Sequence, residues 1–207
     1  MDIKVTQPFQ GLPLWTFSGL ILPEFPECSG STSAATYADN VPSLQDEKYK
    51  KRQILNKETN KQYQNEVISQ IEKAIEKIKE FPRCNETERT LLEDWYGTEW
   101  NFNITDMHCE IITDYKEYYM GWHLDNRNTM SNIICNLQDN QDSTEFCIVS
   151  QPTPSTLFKY SPTTEIWKGP TEKGSGYFWY NNAAFWHQIS INEEARRIAK
   201  LTLMNKL

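Results

Sequence analysis

His123 and Asp125 stand one residue apart in Gly121-Trp122-His123-Leu124-Asp125. In an extended chain side chains two apart share a face, so an imidazole and a carboxylate lie together and a metal ion could bridge them. His187, at the end of Ala183-Ala184-Phe185-Trp186-His187, offers a second imidazole, and Arg197 follows ten positions later as a permanent cation. Two imidazoles and one carboxylate on one side of a metal leave three coordination positions open to reactants. Alone, each part has a plainer reading: many chains contain His-X-Asp, and a histidine after an apolar run is often a satisfied core residue. His108 with Asp106 is a rival for the first pair, but it leaves His123 unexplained and sits at the start of a strand-like run. No His-Glu-X-X-His is present, so a zinc hydrolase built on a helix is not indicated.

Arg197 lies in Arg196-Arg197-Ile198-Ala199-Lys200-Leu201-Thr202-Leu203. As a strand, this stretch puts Arg197, Ala199, Leu201 and Leu203 on one face, apolar apart from the arginine. A guanidinium aimed inward among apolar neighbours is costly unless it meets an anion, and a carboxylate meets it bidentately. Arg196 then points to solvent, although a bulge would exchange the two. A surface arginine balancing Glu193 and Glu194 is the plainer alternative.

These residues need strands to carry them. After Gly97 the pattern is of short β-like runs near 99–104, 109–115, 118–123, 130–137, 144–149, 157–160, 176–180, 185–189 and 197–204, separated by turn signals such as Asp139-Asn140 and Lys173-Gly174-Ser175-Gly176. The spacing predicts a mainly β fold, a jelly roll or sandwich. The 62 positions between Asp125 and His187 fit a jelly roll, whose central neighbours are far apart in sequence. Before this core, residues 46–97 are expected to give helical support. Val67, Ile71, Ala74, Ile75 and Ile78 recur at helical spacing within 46–81, Pro82 stops that run, and a shorter helix opens at Asn85 or Thr87, carries Leu91, Leu92 and Trp95, and ends at Gly97. Residues 1–45, rich in Pro, Ser, Thr and Gly with a strand-sized piece at 15–22, read as an arm packed on the core edge or, alternatively, as a lid. Residues 46–207 are expected to form one domain with its catalytic core at 98–207.

With 207 residues the chain can bury a full core, and a net charge of −7 disfavours a broad footprint on duplex nucleic acid or an anionic membrane. The five cysteines are odd in number and lack Cys-X-X-Cys spacing, which points to a reducing cytoplasm rather than a disulfide framework. The N-terminal sequence reads as neither a secretion signal nor a membrane span.

His123, Asp125, His187 and Arg197 together resemble the motif of the 2-oxoglutarate- and Fe(II)-dependent dioxygenases: His-X-Asp, a distal histidine, then a basic residue about ten positions on. The likeness covers residues 99–207. The Gly174–Phe178 turn, the apolar run before His187 and Arg197-Ile198-Ala199 look like the prolyl-hydroxylase-type branch. Met120 stands where those enzymes usually carry a tyrosine, and Asp142-Ser143-Thr144 where they often carry a Gly-Gly pair, which leaves a prolyl substrate in doubt. The resemblance implies a double-stranded β-helix with Fe(II) on His123, Asp125 and His187, and with 2-oxoglutarate as cosubstrate, its far carboxylate on Arg197. It further implies Asn136 as an aid to the arginine and Tyr115 as a cosubstrate contact or pocket wall. The expected reaction consumes dioxygen, releases succinate and CO2 and hydroxylates a substrate C–H bond, with a peptide or amino-acid side chain favoured by analogy. Two alternatives stand beside it: a non-catalytic jelly-roll binding or structural protein, and a cupin-like metalloenzyme that uses no 2-oxoglutarate.

Overall fold

Residues 108–204 fold as one long antiparallel hairpin rolled up on itself. The computed structural model describes residues 2–9, 14–26, 31–33, 51–55, 60–80, 104–125, 129–148, 165–180 and 185–204. Eight of its strands form the roll: β5 (His108–Asp114), β6 (Met120–His123), β7 (Thr129–Asn136), β8 (Thr144–Ile148), β9 (Glu165–Lys168), β10 (Gly176–Tyr180), β11 (Phe185–Ile189) and β12 (Arg196–Met204). The first four pair in nested fashion with the last four: β5 with β12, β6 with β11, β7 with β10, β8 with β9. Rolling adds the pairs β7–β12 and β8–β11, and two antiparallel sheets result. The smaller has the order β6-β11-β8-β9, while β10-β7-β12-β5 forms the centre of the larger. This is the expected jelly roll, the double-stranded β-helix.

The segments before the roll widen the larger sheet on both sides. β1 (Lys4–Thr6) and β2 (Leu14–Ser18) extend it beyond β10, while β3 (Ser31–Ser33) and β4 (Arg52–Leu55) extend it beyond β5. Residues 52–55 therefore differ from the helix expected there. Ile54 and Leu55 are adjacent yet both buried, one on each face of the sheet, which only extended backbone allows. The helix α1 runs over Lys61–Lys79 and buries Val67, Ile71, Ala74, Ile75 and Ile78 against the outer face of the larger sheet. Gln64 Nε2 donates to the Cys109 carbonyl (2.9 Å) and fixes α1 to β5. Burial of each valine and isoleucine side chain among these contributes about 1.5–3 kcal/mol, which holds the helix to the sheet far more firmly than a side-chain cap at its N-terminus would. Among the described residues no helix is long and apolar enough to cross a membrane. The second helix expected at 85–97 and the strand at 157–160 lie outside the described residues, whereas β9 was not anticipated.

The larger sheet is therefore buried on both sides. Its outer face meets α1 through Trp15, Phe17, Ile111, Ile133, Cys135, Phe178, Ala199 and Leu201. Its inner face meets the smaller sheet through Leu14, Ile112, Ile134, Tyr177, Trp179 and Ile198, with Phe146 and Trp167 answering from β8 and β9.

The closest approach in this packing is at Gly176, where a Cβ would stand 2.0 Å from the Ile134 carbonyl oxygen and 2.4 Å from Phe17 Cζ. Gly176→Ala is expected to lower stability by about 3 kcal/mol, since the obstructing atom is backbone of the paired strand. Gly121→Ala, where a Cβ would meet nothing within 4 Å, should stay within about 0.5 kcal/mol of the parent. Urea denaturation of both variants measures the contrast, and equal midpoints would refute it.

Candidate metal centre

The pairing of β6 with β11 sets His123 directly opposite His187, with ring centroids 4.3 Å apart. Asp125, just beyond the end of β6, brings a carboxylate oxygen to 3.4 Å from His187 Nε2. One ligand atom from each of the three lies within 4.8 Å of the other two. Among the described residues this is the one such group of three or more His, Cys, Asp or Glu side chains. His108 is not part of it: its side chain is mostly exposed and lies 3.5 Å from Glu110. His187 is buried against Phe146 and Trp179, whose ring centroids are 5.7 and 5.4 Å away. The imidazole thus has one edge in the apolar interior and the other toward the carboxylate.

Each ligand is oriented by a neighbour. His123 Nδ1 lies 2.7 Å from the Gly121 carbonyl, so Nδ1–H donates there and Nε2 keeps its lone pair for a metal. Burial, more than any other cause, pulls the His123 pKa below its ordinary value and favours the neutral imidazole that ligation requires. Asn132, wholly buried on β7, donates from Nδ2 to Asp125 Oδ2 (2.8 Å) and accepts from Thr202 Oγ1 (3.0 Å) at its own oxygen. Lys200 Nζ stands 3.7 Å from Asp125 Oδ1. Burial works to raise the Asp125 pKa, but Lys200 and the two imidazoles outweigh it and hold the carboxyl below its usual range. The donor set is two imidazole nitrogens and one carboxylate oxygen, which suits a divalent first-row metal.

Arg197 does not reach this space. It does share a face with Ala199 and Leu201, but that face packs under α1, and its guanidinium lies 4.5 Å from the centroid of the Phe25 ring. Arg196, expected in solvent, is instead 2% exposed and shares the inner face with Ile198. The expectation failed because the strand is buried on both sides, so an apolar face does not by itself mark the interior of the roll. Arg196 Nη2 lies 3.4 Å from Thr144 Oγ1, and its Nε 4.0 Å from Asp114, while Nε and Nη1 make no hydrogen bond among the described residues. Thr144 also accepts from the Tyr177 hydroxyl.

Two further expected contacts are placed elsewhere. Tyr115 follows the last residue of β5, is exposed, and donates to Gln53 Oε1 at the surface (2.8 Å). Asn136 is buried, with Nδ2 donating to the Pro170 carbonyl and Ser175 Oγ and with Oδ1 accepting from Asn140, so it caps the loops at the end of β7. The polar residues that do border the centre, Asn132 and Lys200, went unread in the sequence, as did Asp114 beside Arg196. Once Ile134 and Ile198 are known to point inward, alternation places Asn132, Arg196 and Lys200 on the same side.

No family model matches the chain, and no curated protein matches it. Solved structures do. A 2OG-Fe(II) oxygenase family oxidoreductase from Burkholderia pseudomallei is matched at 13% identity and TM-score 0.34 over 45% of this chain and 41% of that one. A prolyl-4-hydroxylase from Pseudomonas putida is matched at 8% identity and TM-score 0.37 over 49% and 52%. A viral collagen prolyl hydroxylase from Paramecium Bursaria Chlorella virus-1 is matched at 13% identity and TM-score 0.40 over 69% of this chain and 74% of that one. The first two matches span about half of those chains or less. At such scores the reading of the centre stands on its own geometry. His187→Ala should abolish binding of Mn(II) or Fe(II), and Asn132→Ala should weaken it roughly tenfold by releasing Asp125. Anaerobic titration calorimetry measures both, and an Asn132 variant with parental affinity would refute the orienting role.

Proposed function

We propose that this chain is an Fe(II)- and 2-oxoglutarate-dependent oxygenase. The observation that carries this reading is the triad together with a buried guanidinium on the inner side of the same roll, two of whose donors have no acceptor among the described residues. His123, Asp125 and His187 would hold the metal. Bound there, Fe(II) would supply activation of dioxygen coupled to oxidative decarboxylation of 2-oxoglutarate. Everything else is done by the chain's own groups.

Arg196, rather than Arg197, would take the far carboxylate of the cosubstrate. Its Nε and Nη1 have no acceptor among the described residues, and although Arg197 Nε also has none, Arg197 lies on the outer face under α1, whereas Arg196 faces the interior of the roll. The spacing supports this role. Thr144, beside the guanidinium, is two residues along β8 from Phe146, which pairs with His187. That is about 7 Å along the strand, a span that a five-carbon dicarboxylate bridges. Phe146, Tyr177 and Trp179 pack on one another beside these residues, and their buried rings would exclude water from a bound cosubstrate. The Tyr177 hydroxyl, bonded to Thr144, holds that side of the Arg196 pocket in place. Hydroxylation of a C–H bond is the outcome we assign, with a peptide or amino-acid side chain as the substrate class.

Anaerobic addition of Fe(II) and then 2-oxoglutarate to the apoprotein should produce a weak visible metal-to-ligand charge-transfer band. Arg196→Leu should raise the 2-oxoglutarate concentration needed for the band at least tenfold, Arg197→Leu should leave it within about twofold, and His187→Ala should remove the band. Iron retained with no band would favour a metalloenzyme that does not use this cosubstrate. An effect of Arg197→Leu equal to that of Arg196→Leu would overturn the assignment of the cation.

A further inference from the structure

Arg52 comes from β4, outside the roll, yet its guanidinium enters the inner layer at the end opposite the triad. It binds Asp114 through both of its forks, Nε to Oδ1 at 2.6 Å and Nη2 to Oδ2 at 3.0 Å, and its plane lies 4.3 Å from the centroid of the Tyr118 ring. Asp114 is completely buried and also has Arg196 Nε at 4.0 Å from Oδ2, close enough to be attracted but too far for a hydrogen bond. Two guanidiniums thus share one carboxylate, one by hydrogen bonds and one without them. Glu110, on the same strand face, adds a second negative charge that acts on Arg52.

Arg52 bonds to both oxygens of Asp114, whereas Arg196 Nε stops 4.0 Å short of that carboxylate. We propose that Arg52 is a positioning residue for the cosubstrate subsite: by taking the bidentate geometry on Asp114 and sharing its charge it weakens the pull of that carboxylate on Arg196 and leaves the Arg196 donors open to an incoming one. This rests on the reading of Arg196 as the contact for 2-oxoglutarate. The physical argument is one of competition. A buried carboxylate facing a single arginine forms a bidentate, neutral pair with it, and such a pair has no demand for a further anion. Placing a second arginine on the same carboxylate restores that demand. Arg52 is suited to the task, since it is anchored by a β-ladder and a ring face and is not free to follow a ligand. The N-terminal segment would thereby contribute to the affinity of a pocket whose other groups all lie on the roll.

The test is the 2-oxoglutarate dissociation constant of the Mn(II)-loaded full chain by calorimetry, with Mn(II) affinity measured separately. Arg52→Gln should weaken 2-oxoglutarate at least tenfold while Mn(II) affinity stays within twofold, because Arg196 then turns to Asp114. Adding Asp114→Asn should return 2-oxoglutarate affinity to within about threefold of the parent, since the competing carboxylate is gone. That double variant also removes the buried charge that could unfold the single one, so it decides the matter where Arg52→Gln does not fold. Parental affinity in folded Arg52→Gln, or no recovery in the folded double variant, would overturn the proposal while leaving the cosubstrate reading intact. No 2-oxoglutarate binding by the Mn(II)-loaded parent would overturn the cosubstrate reading itself, and this proposal with it.

Discussion

The register between β6 and β11 is the constraint on which the centre depends. His123 and His187 are 64 positions apart in the chain and meet only because they are direct partners across that pair. A slip of one residue would turn every side chain of β11 to the other face and carry His187 away from Asp125. The register is held from the other side by β8, which pairs with β11 over five residues, and by the rings of Phe146 and Trp179 against the His187 imidazole. The apolar packing of the roll and the polar geometry of the centre are thus enforced by the same strands.

The interior of the roll is divided by charge. Around the triad, a carboxylate is met by an asparagine and a lysine, and the His123 and His187 imidazoles complete the donor set. Farther along the same inner face, two arginines converge on one buried aspartate, and Asp114 draws the Arg52 pKa upward against the opposing effect of burial. The proposed cosubstrate site joins these two groups, with Phe146, Tyr177 and Trp179 packed among the inner-face residues of the roll.

The larger sheet serves two layers, and this shapes what each of its strands can do. On β12 the residues Ala199 and Leu201 support α1, while Arg196, Ile198 and Lys200 face the roll. On β7 the division is the same: Ile133 and Cys135 lie outward, Asn132 and Ile134 inward. The strands that the N-terminal segments add make this sheet wider than the smaller one and give Arg52 its route to the interior.

Much of this was legible in the sequence. Period-two patterning marked β5, β7, β8, β10, β11 and β12 nearly to the residue, helical spacing marked the apolar face of α1, and the donor types of His123, Asp125 and His187 declared a metal-binding potential, because all three are local properties of a chain. The sequence could not say which buried face of β12 is the inner one. Arg196 and Arg197 are adjacent and chemically identical, and only packing against α1 on one side and the smaller sheet on the other distinguishes them. Arg52 was invisible for a related reason: its role exists only across the β4–β5 pairing, between residues 62 positions apart. Residue type and spacing determine which chemistry a chain can offer, whereas tertiary packing decides which of its equivalent side chains offers it, because burial and the nearness of opposite charge are properties of the folded neighbourhood and not of the residue.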